Sequence, residues 1–493
     1  CLFCTKRPVV IVEEEAPKEP ESTWTLEASI WAPRKLESDA RDFYDTPKVL
    51  HRGFAKDWTY LTEMPRFPNF AKRLAGYSMR DAKEAPASVI EALKHGAEVL
   101  YGALLPILKH YAAVDLASNN AFDLNMTDWI AYLRATDCFD DDESSPTHFT
   151  PEHAQIVFRQ CKVEIGVSSQ MRAVNDDEHL CRYEFLDANL RVVEAKYDLD
   201  HEPPDSHSRE DHILESVERF RDEHLSKLPY ELHECPDTFR RESLYNEEVD
   251  IQLWKYDKIL KGIWKAYGNQ YRHAGRAKFS PNVFAEFLTK CMLCHNADAR
   301  VAARRSFAFG RTFFVDTCDA GYKELTYINF LEALCRFVHV EVEVPLFGHL
   351  REIGVNELCD FYEILHFRAT NGADAVHAIN ELRRLLTPDT ELTLAEKLAL
   401  VLPHMLACFS VTCGGDFETK LDHVRLNTLL SEEQKQKWIK KKCHISRGDC
   451  EHVLALDEFK AVTHAVDKKH VFAEAVQLKK SAEKGVSDGA GVW

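Results

Sequence analysis

The stretch Gly321-Tyr322-Lys323-Glu324-Leu325-Thr326-Tyr327-Ile328-Asn329-Phe330-Leu331-Glu332-Ala333-Leu334-Cys335-Arg336-Phe337-Val338 decides the reading of this chain. An upstream stretch, Leu180 to Val193, repeats it. Leu325 followed by Phe330-Leu331-Glu332-Ala333 aligns with Leu180 followed by Phe185-Leu186-Asp187-Ala188. Arg336 and Val338 continue against Arg191 and Val193 without a gap. A second pair fits the same frame: Leu124 before Trp129-Ile130-Ala131-Tyr132-Leu133, and Phe279 before Phe284-Ala285-Glu286-Phe287-Leu288. All four copies place an apolar residue five positions ahead of an aromatic one.

The helices upstream repeat as well. Leu104 to Tyr111 lines up with Leu260 to Tyr267. Phe158 precedes Phe185 by 27 residues, and Phe307 precedes Phe330 by 23. Such self-similarity is a fold-level signal that outranks any single motif. The expected fold is mainly α, with two tandem EF-hand-like helical modules at 89–197 and 249–345. Each half-unit has the right grammar: a helix ending on an aromatic, a loop of about a dozen residues, one apolar bridge residue, and a departing helix. The bridge pairs two loops, so half-units should come in twos.

The loops lack what calcium requires. A binding loop needs oxygen ligands at positions 1, 3 and 5, Gly at 6 and a bidentate Glu at 12. With the bridge residue at position 8, position 1 is Ala117, Ala173, Arg272 and Cys318 in the four loops. Position 6 is Phe122, Glu178, Ala277 and Lys323, and position 12 is Asp128, Glu184, Val283 and Asn329. Only the second loop keeps Asn175, Asp177 and Glu184. A hard dication cannot exchange its water shell for Ala or Arg. The loops are therefore expected to be scaffolding without metal or cofactor, with a calcium sensor as the alternative.

Length and charge narrow the function classes. The 493 residues allow about three domains. A net charge of −18 argues against a general nucleic-acid binder. No run of 18 apolar residues occurs, so no membrane span is expected. Fifteen cysteines, mostly scattered singly, fit a reducing compartment rather than a disulfide framework.

In order, residues 1–88 read as an extended, aromatic-rich N-terminal arm. Its Trp24, Trp31, Arg34, Phe43, Tyr44, Phe54 and Trp58 are the expected partner-binding residues, anchors that staple onto a neighbour, with an irregular cap on the first module as the alternative. Within 88–112 Ile90, Leu93, Ala97, Leu100, Leu104 and Leu108 keep helical spacing, with Pro106 inside. Thr127 is placed as cap of the next helix, and Thr150-Pro151-Glu152 opens the one after it. The charged stretch 198–248, with Pro203-Pro204, reads as a linker carrying a helix around 209–227. Residues 346–475 read as a helical C-terminal region, with amphipathic stripes at 355–368, 375–386 and 393–409. There Leu454 and Phe459 keep the five-residue spacing, and the basic, amphipathic Ser431–Lys442 reads as an ordinary surface helix, with an acidic partner such as calmodulin or a tubulin tail as the alternative. Residues 476–493 read as a flexible tail.

One chemical motif competes with the structural reading. Cys291, Cys294 and His295 have the spacing for covalent c-type haem attachment, the redox alternative. They fall at the end of a repeat helix whose packing stripe already uses Cys291. Only six methionines occur, and no segment stands out as a second iron ligand. Phosphate loops, zinc-protease and nucleophile-elbow motifs are missing, and nothing assembles a nucleophile, a base and an oxyanion donor. The expectation is that the chain is not an enzyme.

Trp31-Ala32-Pro33-Arg34, Phe43-Tyr44-Asp45-Thr46, Phe54 with Asp57-Trp58, and the paired Phe-Leu-Asp/Glu-Ala helices carry a resemblance. Through them the chain resembles protist ciliary and flagellar axonemal proteins with degenerate EF-hand-like pairs, over about 24–70, 89–197 and 249–345. The resemblance implies a non-enzymatic building block of the axoneme, in a radial spoke, the central apparatus or a doublet-associated complex, with other axonemal proteins as partners.

Overall fold

Residues 24–74 fold as helices, not as the expected extended arm. The structure, a computed structural model, describes residues 24–78, 83–140, 148–162, 178–199, 201, 208–270, 279–294, 296–344, 358, 362 and 392–414. A short α1 (Arg34–Glu37) leads to α2 (Pro47–Glu63) and α3 (Phe67–Leu74). The Thr46 side chain caps α2 by accepting from the Val49 amide, and Pro47 takes the first turn, where a missing N–H costs nothing. Phe54, Trp58 and Leu61 share one buried stripe along α2, and Val49 is buried in its first turn. That stripe is why the segment is not an arm: its aromatics recur at helical spacing and find their surface within the same chain.

The first repeat follows as α4 (Ala87–Ala112), β1 (Leu124–Asn125), α5 (Met126–Ala135), α6 (Pro151–Cys161), β2 (His179–Leu180) and α7 (Arg182–Tyr197). β1 and β2 pair antiparallel with Leu124 opposite Leu180, the two residues expected to bridge. Thr150 caps α6 within a reciprocal capping box, as its sequence indicates. α5 is capped by Asn125, not Thr127: the Asn125 side chain accepts from the Asp128 amide. The cap moves because β1 ends at Asn125, so the helix begins directly after it.

The stretch 198–248 is a core element rather than a linker. It carries α8 (Arg209–Glu223) and α9 (Pro236–Phe239). Ile213, Val217 and Phe220 form one face of α8 and are buried in the core that holds Leu93 and Leu100 of α4. Gly96 permits that packing, since a Cβ there would lie 2.9 Å from Val217. Charged residues dominate the composition of α8, but its apolar residues keep helical spacing, and spacing decides burial.

The second repeat comprises α10 (Glu247–Gln270), α11 (Pro281–Lys290), α12 (Ala297–Gly310) and α13 (Tyr327–Glu341). α14 (Leu394–Gly414) covers it, with Leu398 and Val401 in the same core. Phe279 and Leu325, the expected bridge residues of this half, form no strand among the described residues. Phe279 instead packs its ring edge-on to Phe330 at 5.1 Å. Of the C-terminal expectations, Leu358 and Tyr362 are buried. Residues 375–386, Ser431–Lys442, Leu454 with Phe459, and the tail 476–493 lie outside the described residues.

The described residues are mainly helical and build two large cores, one around each repeat. They trade side chains. Phe122, from the loop before β1, is buried in the second core, and Phe313, after α12, is buried in the first.

Candidate functional site

The acidic residue of the repeated Phe-Leu-Asp/Glu-Ala motif sits at the centre of each half. Glu332 on α13 is fully buried and accepts from Arg336, one turn on, at 2.9 Å. It also pairs with Arg34 from the N-terminal segment and with Arg240 at 3.1 Å. Arg240 reaches on to Asp45 at 3.0 Å and to Asp237 at 2.5 Å. Three guanidiniums thus meet three carboxylates, and that balance makes the burial of so much charge tolerable. Burial pushes the Glu332 carboxyl up, but Arg240, Arg34 and Arg336 more than offset it and hold it at about 2.

Asp187 on α7 repeats the arrangement. It accepts from Arg191, one turn on, at 2.9 Å, and from Arg66 of the N-terminal segment at 2.9 Å. Arg66 lies just ahead of α3, whereas Arg34 opens α1. One N-terminal segment therefore clasps both repeats by the same carboxylate position. A third tie joins Asp57 of α2 to Arg182 at the start of α7. Arg182 also donates to the carbonyls of Phe314 and Val315 at 2.7 and 2.9 Å, so the first half holds a loop of the second.

The first of the loops expected to lack calcium is filled by a side chain of the protein itself. Arg304, fully buried, extends from α12 into the loop before β1. It donates to the carbonyls of Ala113 at 2.9 Å, Ser118 at 2.8 Å and Asn120 at 2.7 Å. Burial pulls its pKa down to about 10, with Asp115 and Asp128 pulling the other way. Phe122, where a calcium loop needs Gly, packs 5.9 Å from the Phe307 ring and 5.2 Å from that of Tyr322. Asp123 beside it accepts from Lys323 of the second half at 2.6 Å. Glu184, the last ligand position of the second loop, is paired with Lys162 at 3.1 Å. Its carboxyl is raised by burial even with that lysine and Arg66 beside it. Asn175 and Asp177 lie outside the described residues.

The seven expected anchors turn inward. Trp31, Arg34, Phe43, Phe54 and Trp58 are buried within the chain, and Trp24 and Tyr44 are half-buried. Trp31, Phe43 and Tyr44 surround Tyr245, with ring centres 5.6, 6.2 and 5.5 Å away. Phe54 lies 5.4 Å from Tyr101, and Trp58 5.5 Å from Phe67. Trp24 donates to Asp250 at 2.9 Å. They are staples, but the surface they fasten belongs to the same chain. Tyr245, Arg240 and Arg304 escaped the sequence reading because isolated polar residues in a charged stretch, or on a helix already read as core, carry no spacing signal.

Cys291 and Cys294 are both closed in the second core. The Cys294 thiol donates to the Ala299 carbonyl at 3.4 Å, and His404 of α14 bonds the Cys291 carbonyl at 3.0 Å. Their sulfurs are packed among side chains where a porphyrin would have to stand. His295 lies outside the described residues. No group of three or more His, Cys, Asp or Glu side chains placed to hold a metal occurs among the described residues. Nor is any helix among them long and apolar enough to cross a membrane. The chain matches no protein-family model, no curated protein and no solved structure.

Proposed function

We propose that this chain is a non-enzymatic scaffold: two tandem EF-hand-like modules fused into one body by their own charged side chains. Its setting is a ciliary or flagellar axonemal complex, with other axonemal proteins as partners, as its sequence resemblance implies. The observation that carries the scaffold reading is Arg304. A guanidinium from one repeat satisfies three carbonyls in the first loop of the other, where a metal would otherwise gather oxygens. A loop filled in this way reports on no ion. It fixes the distance and angle between two helical units, and fixed geometry is what a scaffold supplies.

Calcium titration of the full chain by calorimetry and by melting tests the first part. The expected result is no heat of binding and no shift. A saturable calcium-dependent rise in melting temperature would replace the scaffold with the sensor. Crosslinking mass spectrometry on isolated native cilia tests the setting: crosslinks to neighbouring axonemal proteins are expected, and absence of the chain from that fraction would refute it.

A further inference from the structure

Between the two repeats lies a small cavity of about 20 Å³, lined by Lys109 of α4, Phe122, Arg182, and Arg311, Phe313 and Tyr322 of the second half. That is room for one water-sized species. Its polar lining holds three cations, Lys109, Arg182 and Arg311, beside the hydroxyl-bearing Thr312 and Tyr322. Arg182 is neutralised by Asp57 and its N–H groups are spent on Asp57 and two carbonyls. The other two cations, Arg311 and Lys109, make no direct ion pair among the described residues. Arg311 is 2% exposed and donates through Nη2 to the Gly321 carbonyl at 2.8 Å. Its Nη1 is buried without a hydrogen-bond partner among the described residues. Lys109 has no ion pair among them; its ammonium lies 5.6 Å from the centre of the Phe309 ring.

The nearby carboxylates direct their hydrogen bonds to other groups, while their charge still acts at a distance on Lys109 and Arg311. Asp39 accepts from the Val315 amide at 2.8 Å, and Asp319 from the Gly321 amide at 2.7 Å. Asp45 accepts from the Phe313 amide at 3.0 Å and pairs with Arg240. Burial pulls Lys109 down to about 7 and Arg311 down to about 10, although Asp45 draws the first back up and Tyr322, Asp319 and Asp39 the second. Aromatic rings close the site, with Arg311 centred 4.4 Å from Phe314 and 4.8 Å from Tyr322. An orphaned buried guanidinium N–H costs as much as any unmade hydrogen bond to a charged group.

We propose that this cavity holds one small monovalent inorganic anion of about chloride's size, bound by Arg311 and Lys109 at the junction of the two repeats. A cavity of this volume suits a monatomic ion better than phosphate, nucleotides or organic acids. A water molecule could accept from Arg311 but would bring no charge to either cation. The anion would act as a structural ion fastening the halves, in a place where a dication could not bind.

The test compares melting of the full chain in sodium chloride and in sodium gluconate at constant ionic strength. Chloride should raise the melting temperature saturably, by about 2 °C or more, with bromide substituting for it and sulfate not. In Arg311→Met and Lys109→Met the chloride response should vanish, while Arg221→Ala, at an exposed ion pair, should keep it. Should Arg311→Met fail to fold, Lys109→Met and chloride-35 line broadening on the unaltered chain still decide. Equal melting in both salts, absence of excess chloride-35 broadening, or a response that persists in both methionine variants would mean that water alone fills the cavity.

Discussion

Asp187 and Glu332 hold the same position in the two repeats, and each is clasped by an arginine one turn on and by a second arginine from the N-terminal segment. The pairs are Arg191 with Arg66, and Arg336 with Arg34. The segment before the repeats is thus a strap that reads one motif twice. Opposed charges that are both desolvated contribute little net stability but are costly to break.

Removing one partner should therefore be severe. Glu332→Gln leaves Arg34, Arg240 and Arg336 facing a neutral amide in a buried site. The expected loss is about 3–5 kcal/mol by chemical denaturation. Glu27→Gln, at the exposed and solvent-screened Lys35 pair, should leave stability nearly unchanged. A Glu332→Gln loss as small as that at Glu27 would mean the network is not desolvated.

The same carboxylate fixes a pH dependence. Its folded pKa, about 2, lies below the ordinary 4.5. Stability from Glu332 is therefore full above 4.5 and is lost as pH falls from 4.5 toward 2. The stability gap between the native chain and Glu332→Gln should be widest near neutrality and shrink steadily in acid. Urea denaturation at a series of pH values measures it, and a gap that grows in acid would contradict the assignment.

Arg304→Met should release the loop before β1. Three carbonyls lose their donor, so amide exchange should rise for residues 114–125 and leave α8 unchanged. Calcium should not restore protection, because Ala117 and Phe122 still stand where a ligand and a glycine are required. Restored protection on adding calcium would show that the guanidinium was masking a competent site.

Gly310 ends α12 against the Glu332-Ala333 step of α13. A Cβ there would lie 2.6 Å from the Ala333 amide nitrogen and 2.7 Å from its Cα, both backbone atoms that cannot swing away. Gly310→Ala should cost about 1–3 kcal/mol through forced separation of the helices. Gly102→Ala, where a Cβ meets nothing within 4 Å, should be neutral or mildly stabilising. Thermal melting of the two variants separates the outcomes.

The sequence by itself determined the mainly helical class, the placing of the repeated helices and the pairing of Leu124 with Leu180, because apolar spacing is a local quantity with a fixed period. It also showed which residues, Ala117, Phe122 and Cys318, stand where a calcium loop needs an oxygen ligand or a glycine, since residue identity is read directly. Only the tertiary structure decided what the aromatic N-terminal segment faces, and that 198–248 belongs to both cores. Periodicity states which face of a helix is buried but not against what. Arg34 and Glu332 stand 298 residues apart, and Arg304 and Ala113 stand 191 apart. Charge pairing at that range leaves no pattern along the chain; it exists only once packing has brought the partners out of water and into contact.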